Sequence, residues 1–371
     1  MRIAFLCKRQ YMGKDVILDR YARLYEIPHQ LARLGHEVRG YCLSYQKHAE
    51  GEWRHESPDG ALFWESRSLG GLKVAALASY PWHLLRRLRA FGPDVLIGAS
   101  DIPHSILTQW LAGRLGVPYA IDLYDNFEGF GQARIPGFVP ALRRAARNAA
   151  LVTTTSEPLR ELVANEYRAR GTVIAMPSTI DTLVFHPLDK AICRRALGLP
   201  EDVPLVGTAG GLLADRGVDV LYQGWKKVLA EQPRAHLVLA GPVDPHCPPP
   251  LDDRIHYLGL LPHARTAELF NALDVGVIYL RNTVFGRYCF PQKAYEMQAC
   301  RLPLAAARIG VMPDFLATAQ SGLYQADDPE DLARAVLSQL RAPRLADVPI
   351  LDWEQAIGRM ERHLNAITIT K

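Results

Sequence analysis

Lys293 and Glu296 stand three residues apart in the stretch 285–310, FGRYCFPQKAYEMQACRLPLAAARIG. That spacing places both on one face of a helix, and Pro291 just ahead suits the first helical position, where a missing N–H costs nothing. A helix start gathers free N–H groups and the positive end of the dipole, so it attracts an anion. The ammonium of Lys293 would neutralise phosphate charge there, while the carboxylate of Glu296 would accept hydrogen bonds from sugar hydroxyls. The chemistry on offer is a diphosphate seat with a grip on hydroxyls. A capped helix with an ordinary surface Lys–Glu pair accounts for the same two residues, since such pairs are common and weak. After this helix, 302–307 reads as a short buried strand with Pro303 at its start.

A second candidate lies in the run AGGLLADRGVDVL, which follows a strand expected over 203–208. Gly210 and Gly211 let a ligand approach the backbone, Asp215 is placed to cap the next helix, and Arg216 stands just before it as a phosphate cation. A Gly-rich turn is by itself a weak signal, and structure alone explains it about as well. In the first half, strands over 94–98 and 119–122 each open into a loop at the carboxyl end, where α/β sheets place ligands. Those loops hold Asp101 and His104, then Asp122, Tyr124, Asp125, Asn126 and Glu128. Carboxylates gathered there suit recognition of sugar hydroxyls, and Asp125 is a candidate base; helix caps and turn formers are the bland reading. The loop after the first strand carries Gly13 beside Lys14 but no G-x-G-x-x-G fingerprint, which argues against a dinucleotide-dependent dehydrogenase.

The elements that must position these residues alternate strand and helix. A strand over 2–7, a helix over 19–34 ending at Gly35 and a strand over 37–43 open the chain. Residues 45–70 read as a short hairpin or edge strand, and strands over 151–155 and 173–176 close the first half. Further strands are expected at 236–240, 255–258 and 275–280, and helices at 268–273, 328–341 and 352–367. Two helices are basic and amphipathic. In 80–91, Trp82, Leu85 and Leu88 share one side and Arg86, Arg87 and Arg89 the other. In 140–150, Arg143, Arg144 and Arg147 follow Phe138, which looks exposed. Such helices can lie on an anionic membrane surface, or can simply be solvated faces of an α/β domain.

The segment from Pro291 to Pro303 resembles the donor-binding helix of the GT4-type glycosyltransferases of GT-B fold, through Pro291, Lys293, Glu296, Met297, Ala299 and Pro303. A second match is the connector MPSTIDTLVFHP, similar to that family's hinge through Pro177, Asp181, Phe185 and Pro187. The resemblance implies an α/β protein of two Rossmann-like domains facing each other across a cleft: an acceptor-side domain over 1–180, a nucleotide-sugar domain over 181–345, and a helix over 346–371 crossing back to the first. It implies a metal-independent retaining transferase that moves a sugar from a nucleotide-diphosphate sugar, UDP- or GDP-linked, to an acceptor hydroxyl, with no other cofactor. Glu296 would hold the ribose, Arg216 and Lys293 would stabilise the departing diphosphate, and the turn at Leu261 would seat the base. Gly210, Gly211, Phe290, Gly13 and Lys14 would line the donor, with Asp101 and His104 on the acceptor side. Several family positions differ. Tyr288 stands where the family has a second Glu, Gly211 where it has a Lys, Pro291 where a Gly follows the Phe, Tyr124 where a His often precedes Asp125, and Gly13 alone where a Gly-Gly pair is usual.

The 371 residues suit two domains. The excess of 43 basic over 39 acidic residues, +4, is too small to argue for a nucleic-acid partner. Six scattered cysteines show neither zinc spacing nor a disulfide framework, so a reducing compartment fits. The opening MRIAFLCKRQ is too short an apolar run for a signal peptide, and nothing nears the roughly 20 apolar residues of a membrane span. The expectation is a cytoplasmic enzyme, peripheral on the inner face of the membrane if its basic helices bind there, with a glycan or lipid-linked acceptor in surface polysaccharide or glycolipid synthesis. A nucleotide-sugar epimerase or hydrolase of the same fold, or a non-catalytic partner that kept it, are the alternatives.

Overall fold

The computed structural model describes residues 1–46, 48–69 and 73–369, apart from the side chains of 73–76 and 369. The chain divides into two compact units, Met1–Ser178 with Trp353–Lys371, and Thr179–Asp352.

In the first unit the apolar run after Arg2 forms β1 (Arg2–Lys8), and Ile3, Ala4, Phe5, Leu6 and Cys7 are all fully buried. Burial on both faces is what a central parallel strand demands. A small antiparallel hairpin follows, β2 (Gln10–Tyr11) and β3 (Lys14–Asp15). The main sheet continues with β4 (Glu37–Ser44), β5 (Gly51–Glu56), β6 (Ala61–Ser68), β7 (Val95–Ala99), β8 (Tyr119–Leu123), β9 (Leu151–Thr154) and β10 (Thr172–Ala175). Among the described residues its order is β10-β9-β8-β7-β1-β4-β6-β5, parallel except for β5, which folds back on β6 as the expected edge hairpin. The final helix, Trp353–Ile369, belongs to this unit. It buries Ile357, Met360 and Leu364, a stripe at spacings of three and four, beside the helix Ala22–Arg33, and His36 Nε2 lies 3.2 Å from Glu361.

The second unit carries β11 (Leu205–Ala209), β12 (His236–Ala240), β13 (Ile255–Tyr257), β14 (Val275–Ile278), β15 (Leu304–Ala307) and β16 (Leu323–Tyr324). They pair in the order β13-β12-β11-β14-β15-β16, all parallel. Its helices Val218–Glu231 and Pro329–Arg341 pack against each other, the latter capped by Asp328, whose carboxylate accepts from the N–H groups of Glu330 and Asp331.

The two basic helices differ from expectation. The first spans Lys73–Phe91, and its buried stripe is Leu84, Leu85 and Leu88. Trp82 is 58% exposed because it sits on the rim of that stripe, where Trp110 meets only its edge at 5.3 Å. Arg87 is held by Glu65 and Glu52, each at 2.6 Å. The second helix, Phe138–Asn148, uses Arg143 on Glu128 and Arg147 on the Tyr167 carbonyl. Arg86, Arg89 and Arg144 are the arginines left exposed, and Phe138 is half-buried rather than exposed. No helix among the described residues is long and apolar enough to cross a membrane.

Candidate functional site

In the second unit β11 ends at Ala209 and the chain turns at Gly210, whose φ of +110° favours glycine. The turn is crowded: a Cβ on Gly241 would fall 2.0 Å from the Gly210 carbonyl oxygen, and one on Gly210 would lie 3.2 Å from Lys293 Nζ. Gly241 N–H in turn donates to the Gly259 carbonyl at 2.8 Å, and Tyr279 O–H to the Gly211 carbonyl at 2.8 Å. These bonds tie the first Gly turn to the turn that leads into half-buried Leu261.

Lys293 reaches back under this turn, its Nζ 3.4 Å from Thr208 Oγ1 and 5.1 Å from the centre of the Tyr279 ring. Burial in this recess lowers its ammonium from the usual 10.5 to about 8. The carboxyl of Glu296 is raised by burial to about 7, with Lys293 partly opposing the rise. The two side chains make no ion pair, and Glu296 has no hydrogen-bond partner among the described residues. The helix itself, Lys293–Ala299, begins two residues after Pro291, with Gln292 at its cap. Proline therefore ends the preceding loop instead of opening the helix. With seven residues the helix adds little dipole of its own, so the side chains carry the charge.

Arg216 closes the short turn Ala214–Arg216, and its guanidinium lies over Phe285, its Cζ 3.3 Å from the ring centre. Asp215 does not cap the following helix. Gly217, at φ +103°, takes the cap position of Val218–Glu231, and the Asp215 side chain is 75% exposed at 3.9 Å from Arg216. The turn is pinned from behind by Arg281, which donates to the Ala214 carbonyl at 2.9 Å and forks onto Asp219 and Asp327. Phe290 packs on Tyr295 and Phe315, with ring centres 4.5 and 6.3 Å away, and so belongs to the core more than to a ligand. Tyr288 is half-buried at the end of the helix Val284–Tyr288.

In the first unit the carboxylates at the strand ends are mostly occupied by the fold. Asp122 is fully buried and forked by Arg23, whose Nε donates to Oδ2 at 2.8 Å and Nη2 to Oδ1 at 2.5 Å, and it accepts a further bond from Thr153. Glu128 is forked by Arg143 at 2.7 and 2.9 Å. Asp101 caps the helix Ile102–Leu115 through the His104 N–H, meets His104 Nδ1 at 2.6 Å and accepts from Tyr45 O–H at 2.8 Å. Burial would raise this carboxyl, but His104 and the surrounding donors outweigh it and hold it near 2. Asp125 is half-buried and accepts from the Asn126 N–H at 2.7 Å. Tyr124 donates to the Ser100 carbonyl at 2.9 Å and accepts from Lys8 Nζ at 3.1 Å. Gly13 and Lys14 form the exposed tip of the small hairpin, where Met12 (φ +51°) and Gly13 (φ +77°) make its two-residue turn.

The site residues that sequence reasoning missed are the ones that orient others. Phe285 carries Arg216, Arg281 locks its turn, and Lys8 is a cation at the end of β1 that burial shifts toward the neutral form. Lys8 could have been found from its place at the carboxyl end of a buried strand; the other two pairings span 62 residues or more and leave no local signal.

Residues 22–178 match the model of a glycosyl transferase 4-like domain, and 203–342 that of the glycosyl transferases group 1. The chain is 34% identical over 327 residues to the D-inositol 3-phosphate glycosyltransferase of Stackebrandtia nassauensis, covering 78% of this chain and 69% of that one. It is 30% identical over 287 residues to D-inositol 3-phosphate glycosyltransferase 2 of Catenulispora acidiphila, covering 67% and 65%. The chain thus spans about two thirds of the length of these curated relatives. Among solved structures it is similar to sucrose-phosphate synthase from Thermosynechococcus elongatus, with a TM-score of 0.69 at 18% identity, covering 100% of this chain and 96% of that one. It is equally similar to Anabaena HepE in complex with UDP, at 0.69 and 15%, covering 100% and 95%. The fold is that of the GT-B glycosyltransferases.

Proposed function

This chain belongs to the GT4 glycosyltransferases, and we propose that it moves a sugar, with retention, from a uridine-diphosphate sugar to an acceptor hydroxyl. The observation that carries this reading is the unspent charge of the second unit. Glu296 has no hydrogen-bond partner among the described residues, Lys293 lies beneath the Gly210 turn without pairing to it, and burial presses both toward neutrality. A fold keeps such a pair at an energetic disadvantage only when a ligand relieves it.

The roles follow from the geometry of each group. Glu296 accepts hydrogen bonds from the ribose hydroxyls. Lys293 and Arg216 take up the charge that grows on the diphosphate as the sugar–oxygen bond breaks, which is where electrostatic catalysis gains most. Stacking on Phe285 orients Arg216 before substrate arrives, so little reorganisation is needed at the transition state. Gly210 and Gly211 admit the phosphates to the backbone, and the turn at Leu261 seats the base. The choice of uridine rests on HepE, which has been crystallised with UDP and with UDP-glucose. On the first unit, Asp125 and Lys8 stand at the strand ends that would face an acceptor. Exposed Trp82, Arg86, Arg89 and Arg144 support a peripheral role at an anionic membrane in glycolipid or surface-polysaccharide synthesis. Failure to float with anionic vesicles would remove that last role.

The test is a thermal-shift panel of uridine, guanosine and adenosine diphosphates and their sugar conjugates on wild type and Glu296→Ala. Saturation a hundredfold above the dissociation constant stabilises by about 2.7 kcal/mol. A uridine-specific shift that Glu296→Ala abolishes is expected. A guanosine-specific shift would change the donor, and no shift with any nucleotide would favour a non-catalytic protein that kept the fold, the reading to which Tyr288 and Gly211 lend weight.

A further inference from the structure

The first unit contains a recess of about 410 Å³ whose wall is almost entirely apolar, with Leu77, Leu107, Ile135 and Phe138 among its residues. Its volume lies within the roughly 300–1,000 Å³ of small-molecule sites. Four polar side chains share this wall; Tyr45 is spent on Asp101, and each of the other three has a buried atom with no hydrogen-bond partner among the described residues: His104 Nε2, Tyr80 O–H and Gln132 Oε1. His104 is 2% exposed and Tyr80 is 6% exposed. Buried polar atoms are nearly always paired, so three orphans around one apolar recess point to a missing ligand.

The identity of the orphans states what that ligand is. His104 Nδ1 lies 2.6 Å from Asp101 Oδ1, and a carboxylate only accepts, so the ring proton sits on Nδ1. In the tautomer with its proton on Nδ1 the ring offers Nε2 as an acceptor, and the Gln132 oxygen is a second one. The Tyr80 hydroxyl both donates and accepts. Asp101 is already committed to His104 and Tyr45 and offers no charge to the recess. Among the described residues no counter-ion lines the recess for an ionic head group, and a plain hydrocarbon would leave all three orphans unpaired. A hydroxyl group satisfies them, since it donates to an acceptor and accepts from the phenol.

We propose that this recess binds the apolar body of an amphiphilic alcohol, with the hydroxyl hydrogen-bonded to His104 Nε2. In combination with the transferase reading, on which this further step rests, the alcohol is the class of acceptor the protein takes. That differs from a purely polar polyol phosphate, for which the recess holds no cation among the described residues.

Calorimetry of the whole protein with octan-1-ol and with its methyl ether, 1-methoxyoctane, tests the assignment, because the ether keeps the chain and loses only the donated proton. The alcohol is expected to bind about tenfold more tightly than the ether, the scale of one buried hydrogen bond. His104→Asn, which keeps a donor for Asp101 but removes Nε2, should bring the two within about threefold of each other. Leu77→Glu changes a half-exposed position on the wall without touching the core, and should weaken alcohol binding by about tenfold or more. Equal affinity for alcohol and ether, undiminished binding in Leu77→Glu, or no heat from either ligand overturns the proposal. The thermal shift with UDP is read on the same samples. Lost alcohol binding with the UDP shift intact removes the recess and leaves the transferase reading; the reverse result removes the transferase reading and leaves the recess.

Discussion

Both units end their parallel strands in loops rich in charged side chains, yet the two sets of charges are used differently. At the ends of β8 and β7, Asp122 is closed onto Arg23 and Thr153, and Asp101 onto His104 and Tyr45. In the second unit, Glu296 has no such partner among the described residues, Lys293 leans on one hydroxyl, and Arg216 rests on an aromatic face. Composition would rank the first cluster as the richer site. Hydrogen-bond accounting reverses the order, because a carboxylate already holding three donors has nothing left to offer a ligand.

The largest effect that would break this contrast is on stability. Arg23→Ala leaves Asp122 buried without its counter-ion, and should destabilise the first unit by about 3–5 kcal/mol in urea titration, while UDP stabilisation of the second unit persists. A loss under 1 kcal/mol would mean that the Asp122 carboxylate is not committed to the fold after all.

Next is turnover. Arg216→Ala should lower kcat by about 10²–10³ while leaving the melting temperature of the free protein nearly unchanged, since among the described residues the side chain is held by Phe285 and a distant Asp215 alone. A fall in kcat matched by an equal fall in stability would place Arg216 among the architectural charges.

Binding follows. Glu296→Ala should weaken the nucleotide by about 1–3 kcal/mol in calorimetry through lost charge-assisted bonds. The same residue has a pH signature. Glu296 holds its proton up to about 7 in the folded protein against an ordinary 4.5, so its contribution to stability is full below 4.5 and is lost as pH rises through 7. Lys293, lowered from 10.5 to about 8, favours its neutral form, and its contribution is lost as pH falls through 8. Glu296→Gln should therefore raise the melting temperature at pH 8 and leave it little changed at pH 4. A pH-independent difference would show that the carboxylate is better solvated than its surroundings indicate.

The smallest effect separates a turn from a phosphate contact. Gly13→Ala should cost about 1 kcal/mol of stability, because φ is +77° there and nothing crowds the added methyl. UDP stabilisation should not change. If it fell, the hairpin tip would line the donor, as the family resemblance implies.

Much of this protein was legible one segment at a time. The buried run after Arg2, the edge hairpin through Ala61–Ser68, and the helix Pro329–Arg341 lie within a few residues of their expected positions, because periodicity acts locally. Lys293 and Glu296 were found for the same reason: their chemistry is written in a spacing of three. Errors arose where the fold, and not the local spacing, set a residue's surroundings. Asp215 looked like a cap until Gly217 took the position, and Phe138 looked exposed although it closes the wall of a recess. The number and kind of charged groups at each strand end come from the sequence alone. Which of them remain available does not, since Asp122 meets Arg23 across 99 residues and Arg216 meets Phe285 only once the turn Ala214–Arg216 and the helix Val284–Tyr288 are brought together. Those encounters depend on how the strands are ordered in each sheet, and only the folded chain supplies that.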